Sequence, residues 1–305
     1  MPGDAITILH LSDMQFGKYH RFSQKHPGTP PNDFDTLTQR LIFDLDHLMG
    51  KQAAKPTSPI AKPDLIICTG DLAEWGLAKE FKQAFDFLGT IAEHLGLSRD
   101  RVIVIPGNHD INRKQCESYF IECAANDEEP LFPWFPKWKQ FKAAFDAFYP
   151  ESSEVSFSPA EPWSLFPIND LRVVVAGLNS TMDEGHDAAV EALADAGHHG
   201  MCGEEQLRWF QKRLDSPEFA GWLRIGSVHH NLIRGCRNDD ENLRDADAFQ
   251  SILAPQLDLV LHGHTHHAKE GILDGSVPVF STGSASLLTR GADTIPTDVP
   301  NQYQV

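Results

Sequence analysis

Five short motifs carry residue types that bind metal ions, and each follows an apolar run. Asp13, followed by Met14 and Gln15, ends "ILHLS". Asp71 lies in "TGD" after "DLIIC". Asn108, His109 and Asp110 form "GNHD" after "RVIVIP". His229 and His230 follow "WLRIGSV", and "LDLVLHGHTHH" brings His262, His264, His266 and His267. Carboxylate, amide oxygen and imidazole without thiolate suit hard or borderline ions such as Mn²⁺, Fe or Zn²⁺. Two carboxylates among otherwise neutral ligands leave a two-cation site net positive, and such a site attracts phosphate and activates water.

Taken singly, the motifs say little. Gly-Asp is a common dipeptide, a strand-terminal Asp more often closes a turn or caps a helix, and a histidine pair is more often packing than ligation. His264 and His266 are more specific, because alternate residues of an extended stretch point the same way. "GNHD" followed far downstream by "GHTH", each at the end of a strand-like run, is specific in combination.

Those residues need strands to present them. "AITILHL" (5–11), "DLIICTG" (64–70), "RVIVIPG" (101–107), "LRVVVAG" (171–177), "WLRIGSVHH" (222–230), "LDLVLHG" (257–263) and "SVPVFST" (276–282) are near-continuous apolar runs of the kind buried on both faces of a sheet. Helical spacing marks 35–51, 78–95 and 203–214. The alternation predicts an α/β layered domain, and in open α/β sheets ligands bind beyond the carboxyl ends of the strands. "EEPLFPWFPKWKQFKAAFDAFYP" (128–150) reads as an aromatic-rich insertion, spanning about 112–165, that packs as helical turns and forms a satellite core cluster. A lid over the site is the alternative.

The series Asp13, "GD", "GNHD", "HH", "GHTH" resembles the calcineurin-like metallophosphoesterase superfamily over about residues 6–285. The resemblance implies a four-layer αββα sandwich, two mixed β-sheets flanked by helices, with a dinuclear metal site at the strand C-terminal ends. It implies that Asp71 bridges two divalent cations, that Asp13 and His266 complete the first, and that Asn108, His229 and His264 complete the second. His109 matches the family histidine that contacts phosphate and protonates the leaving group, a role suited to an imidazole. The reaction implied is in-line attack on phosphorus by a hydroxide activated at the dinuclear centre.

One position departs from the pattern. The family's usual D-x-H is here Asp13-Met14-Gln15. Gln15 either binds the first cation, directly or through water, or marks a decayed site. The intact remaining ligands favour an active enzyme. An amide oxygen in place of imidazole keeps the site charge, and as a harder, weaker ligand it favours Mn²⁺ or Mg²⁺ over Zn²⁺ at that metal.

"GKYHRFSQKH" (17–26) concentrates Lys18, His20, Arg21, Lys25 and His26 beside Asp13. It is read either as a solvated loop or as recognition of a second phosphate, with Arg21 the best bidentate donor. Lys18, Arg21 and His230 are the candidate substrate-binding residues, and Arg234 and Arg237 could add to the rim. His198 and His199 are read as surface loop, and Trp75 as core packing, with stacking on a base as its alternative.

The net charge of −17 opposes an extended duplex-binding face, though not short single strands. No apolar run approaches a membrane span, and the N-terminus lacks the pattern of a signal peptide. Five cysteines without a C-x-x-C argue against a disulfide framework or structural zinc and for the reducing cytoplasm. The whole, 1–305, is expected to be one metallophosphoesterase domain. "NQYQV" (301–305) reads like the opening of another strand, so the chain is expected to be the N-terminal part of a longer protein with a possible further C-terminal domain. The expected activity is a phosphodiesterase on a small phosphate-ester or nucleotide substrate. The alternatives are a nuclease of the same superfamily or an effector or sensor domain of a larger regulatory protein.

Overall fold

The computed structural model describes residues 5–18, 20, 22, 34–51, 59–150, 153–185, 199–233 and 242–284. The apolar runs form strands where expected: β1 (Ile8–Leu11), β2 (Leu65–Cys68), β3 (Val102–Val104), then, after β4 (Ser164–Ile168), β5 (Val173–Gly177), β6 (Leu223–Ser227), β7 (Leu259–His262), β8 (Lys269–Leu273) and β9 (Val277–Ser281). They make two sheets. One has the order β1-β2-β3 and the other β4-β5-β6-β7-β9-β8. The three described strands of the first are all parallel, and the mixed character lies in the second, where β4 and β8 run antiparallel to their neighbours.

β4 and β8 are also the two strands that the apolar pattern did not mark. They are the edges of the second sheet. β4 carries Pro167, which cannot donate to a ladder and is tolerated at an edge. β8 is mostly exposed and begins with Lys269 and Glu270, charges of the kind that protect an edge. Neither needs the continuous apolar run that marks a strand covered on both faces.

Helices α1 (Phe34–Leu48), α2 (Ala78–Leu95), α3 (Arg113–Ala125), α4 (Lys139–Phe148) and α5 (Glu204–Leu214) flank the sheets. On α2, Phe81, Ala84, Phe85, Leu88, Ile91, Ala92 and Leu95 recur at helical spacing and are buried. The helix ends at Gly96, which takes φ 64° and lets Leu97 N–H donate back to Ala92 O at 2.8 Å. No helix among the described residues is long and apolar enough to cross a membrane.

Residues 112–165 hold α3, α4 and the turn between them. Trp138, Phe141, Phe145, Phe148, Tyr149 and Phe157 are buried and belong to the same continuous cluster as the sheets, so the aromatic rings extend the main core instead of forming a satellite. Lys137 is fully buried there. Its Nζ donates to the carbonyls of Thr181 and Met182, both at 2.8 Å, and to that of Glu184. A buried ammonium needs such acceptors, and these tie the insertion to the segment after β5.

The loops at the strand ends are stitched as the strands are. Gln15 N–H donates to Asp71 O (2.8 Å) and Phe16 N–H to Leu72 O (2.7 Å), extending the β1–β2 pairing. Gly263 N–H donates to His229 O (3.0 Å), doing the same for β6 and β7. "NQYQV" lies outside the described residues.

Candidate metal centre

Asp13, Asp71 and His229 each place a ligand atom within 4.8 Å of the others, and all three are buried. His229 Nδ1 lies 2.7 Å from Thr69 O, a carbonyl that only accepts, so Nδ1 carries a proton and Nε2 is the ring nitrogen turned to the site. Nε2 faces Asn108 Oδ1 at 2.9 Å, Asp71 Oδ1 at 3.4 Å and His264 Nδ1 at 3.3 Å. His264 Nδ1 is 3.2 Å from Asn108 Oδ1. These oxygen and nitrogen atoms converge in one small space, and their chemistry fits a cation.

A second group surrounds Asp13. Its Oδ2 accepts His264 N–H at 3.0 Å. Its Oδ1 accepts no well-formed hydrogen bond among the described residues and faces His266 Nε2 at 3.2 Å. Burial pushes the Asp13 carboxyl up, but His266 and His229 beside it win and hold it well below the usual range. Burial pulls His229 down, while Asp71 and Asp13 more than offset that and raise it. Burial, reinforced by His230 and His229, holds His264 well below its ordinary value, which keeps a ligand lone pair available.

The backbone bends sharply to achieve this. Asp13 (φ 54°), Gln15 (44°), Asp71 (54°), His264 (66°) and His266 (54°) are all left-handed, a region that non-glycine residues seldom enter. Gly107 is required by close approach: a Cβ there would lie 2.3 Å from Asp71 Oδ1 and 2.9 Å from His229 Cε1. A Cβ at Gly263 would lie 1.9 Å from Ser12 Oγ and 2.8 Å from Asp13 Oδ2.

A family model described as Calcineurin-like phosphoesterase matches residues 6–268. The chain belongs to that family. It is 24% identical over 250 residues to a cAMP/cGMP dual specificity phosphodiesterase of Mycobacterium tuberculosis, covering 81% of this chain and 62% of the relative. It is 22% identical over 279 residues to an uncharacterized metallophosphoesterase-like protein of Bacillus subtilis, covering 88% of this chain and 50% of that protein. The chain thus spans less than two thirds of the length of either curated relative. The crystal structure of a dimetal phosphatase from Danio rerio aligns with a TM-score of 0.49 at 13% identity, covering 92% of this chain and 87% of that one.

The structure of this calcineurin-like chain brings Asp13, Gln15, Asp71, Asn108, His109, His229, His264 and His266 together. Gln15 is buried, and its Nε2 donates to Asp71 Oδ2 at 3.1 Å, which leaves Oε1 as its donor atom for a cation or water. His109 N–H donates to Asp71 Oδ1 at 2.8 Å, and its Nδ1–H to Glu74 O at 3.0 Å. Divalent cations held by these ligands would supply Lewis-acid polarisation of a phosphoryl oxygen and lower the pKa of water.

Other expectations are corrected. His230, a candidate for substrate binding, is instead fully buried: its Nδ1 accepts the Ser180 hydroxyl at 2.7 Å, and its Nε2 faces Glu184 Oε1 at 3.4 Å. Its ring packs on His264 with centroids 4.6 Å apart, so it supports a candidate ligand from behind. His20 is not part of a basic patch. It is buried, stacks on Phe16 at 4.8 Å, accepts Phe22 N–H at 3.1 Å, and burial lowers it to about 3. Lys18 is exposed. Arg21, Lys25, His26, His198, Arg234 and Arg237 lie outside the described residues. His262 is buried, with Nδ1 donating to Gly263 O at 3.0 Å. Trp75 is not core: 55% of it is exposed.

Asp110 has a role that the motif alone did not reveal. Its carboxylate accepts Leu72 N–H (3.2 Å), Ala73 N–H (2.8 Å) and Gly107 N–H (2.9 Å), stapling the loop of Asp71 to the loop of Asn108 and His109.

Proposed function

We propose that the chain is a metal-dependent phosphohydrolase, a phosphodiesterase acting on a nucleotide-like substrate with two divalent cations. The observation that carries this reading is the buried crowding of Asn108 Oδ1, His229 Nε2, His264 Nδ1 and Asp71 Oδ1, with His109 tethered beside them. Asp71 lies between the two groups of ligands and is positioned to serve both. His109 is positioned to donate a proton to the leaving oxygen. The nucleotide class is supported by the mycobacterial relative, a cAMP/cGMP dual specificity phosphodiesterase. The absence of a C-x-x-C among the five cysteines is consistent with a reducing cytoplasmic setting.

The test is to reconstitute the protein with Mn²⁺, Mg²⁺, Fe²⁺ or Zn²⁺ and assay bis-p-nitrophenyl phosphate, p-nitrophenyl phosphate, cyclic nucleotides and single-stranded DNA. The expected result is turnover of the aryl diester and of cyclic nucleotides, faster than the monoester. Turnover of DNA alone would make it a nuclease, and no turnover with any ion would overturn the enzymatic reading.

We assign Mn²⁺ as the preferred ion because the amide of Gln15 stands at the first position. Gln15→His should therefore raise Zn²⁺ affinity by about tenfold or more relative to Mn²⁺, imidazole being the softer ligand. Competitive metal titration measures it, and an unchanged Zn²⁺/Mn²⁺ ratio would remove Gln15 from the coordination sphere.

A further inference from the structure

We propose that Trp75 is a stacking platform for the base of a nucleotide bound at the metal centre. The inference rests on the nucleotide reading above and adds the residue that would select for it.

Trp75 leaves more than half of its surface in water, whereas Trp134, Trp138, Trp163, Trp209 and Trp222 are buried or half-buried. Those five pack against other rings, as in Trp138 with Phe157, Trp163 with Trp209, and Trp222 with Phe219. An indole kept in water forgoes a large burial energy.

The loop that carries it is fixed on every side. Glu74 N–H donates to Phe16 O at 3.1 Å. Glu80 Oε2 accepts both Trp75 N–H (2.9 Å) and Leu77 N–H (3.2 Å). Gly76, at φ 63°, presses on the next loop so closely that a Cβ would lie 2.8 Å from the carbonyl carbon of Ile111. The backbone is thus held while the side chain stands outside. A ring on a fixed backbone loses little further freedom when a ligand stacks on it.

Its place decides what that ligand is. Glu74 O, which holds His109 Nδ1 at 3.0 Å, is the carbonyl joined to Trp75. Covalent geometry then puts the Trp75 Cα within about 6 Å of that ring nitrogen. A group esterified to a phosphate beside His109 would then come within reach of a side chain as long as that of Trp75. A nucleobase offers a flat π-face of matching size, and such stacking is sequence-tolerant.

The test compares wild type, Trp75→Ala and Trp75→Phe, each reconstituted with Mn²⁺, using 5′-AMP and inorganic phosphate as competitive inhibitors of bis-p-nitrophenyl phosphate hydrolysis. Trp75→Ala should raise the Ki of AMP about tenfold and leave that of phosphate unchanged. Trp75→Phe should restore AMP binding. Tryptophan fluorescence should be quenched by AMP in wild type and not in Trp75→Phe. If wild type binds AMP no better than phosphate, the nucleotide reading fails and this inference falls with it. If wild type prefers AMP and Trp75→Ala keeps that preference, the nucleotide reading stands and the stacking role is wrong.

Discussion

His109→Ala is expected to lower kcat by about 10²- to 10⁴-fold while bound metal stays constant. The separation follows from the two ways in which His109 is held. Its backbone N–H donates to Asp71 Oδ1 at 2.8 Å, and alanine keeps that bond. Its ring is lost. In that ring Nδ1 donates to Glu74 O, a carbonyl that cannot donate back, so the proton on Nδ1 is fixed and Nε2 is the nitrogen available for proton transfer. The loss should be larger for an alkyl leaving group than for p-nitrophenolate, which departs without protonation. Metal content by mass spectrometry, measured beside kcat on both substrates, checks it. Metal and kcat falling in proportion, or equal losses with both leaving groups, would return His109 to a structural role.

The second large effect is expected at Asp71. Asn keeps the volume and an oxygen for His109 N–H but removes the charge that faces His229 Nε2 at 3.4 Å and Gln15 Nε2 at 3.1 Å. Loss of even an outer-shell partner typically weakens a metal site by about 10–100-fold, so Asp71→Asn should cost at least about 100-fold in metal affinity and abolish turnover. Its effect on stability should depend on metal. With a cation at a hundredfold its Kd, wild type gains about 2.7 kcal/mol that the variant lacks. Thermal melts of both proteins with EDTA and with Mn²⁺ decide it. Parallel shifts in the two conditions would count against a bridging carboxylate.

The candidate ligands stood out in the sequence because each is a polar residue at or just past the end of an apolar run, and Asp71, Asn108 and His264 each directly follow a glycine. Gly107 and Gly263 show why those glycines are there. The helices at 35–51, 78–95 and 203–214 were legible for the same reason, a strong period. β4 and β8 were not, since an edge strand is covered on fewer sides and needs less apolar surface. The staple made by Asp110 was hidden because its partners are backbone N–H groups, which every residue carries. His20 and His230 were misplaced because an imidazole in a polar stretch looks the same whether it faces water or stacks on Phe16 or His264. Trp75 was misplaced in the other direction, since nothing in "GDLAEWG" says that Glu80 will hold the main chain and leave the ring outside.

The left-handed backbones bear on any attempt to make this protein more robust. Among the described residues, nine that are not glycine have positive φ, and glycine at such positions relieves strain of about 1–2 kcal/mol each. A redesign guided by stability alone would choose all nine. Five of them are Asp13, Gln15, Asp71, His264 and His266, where the exchange would delete the side chains that make up the site. Asp127 and Asp274 have the same backbone geometry, are exposed and belong to none of these motifs. Thermostabilised versions that keep their chemistry should therefore carry glycine at 127 and 274 and leave the strained five untouched.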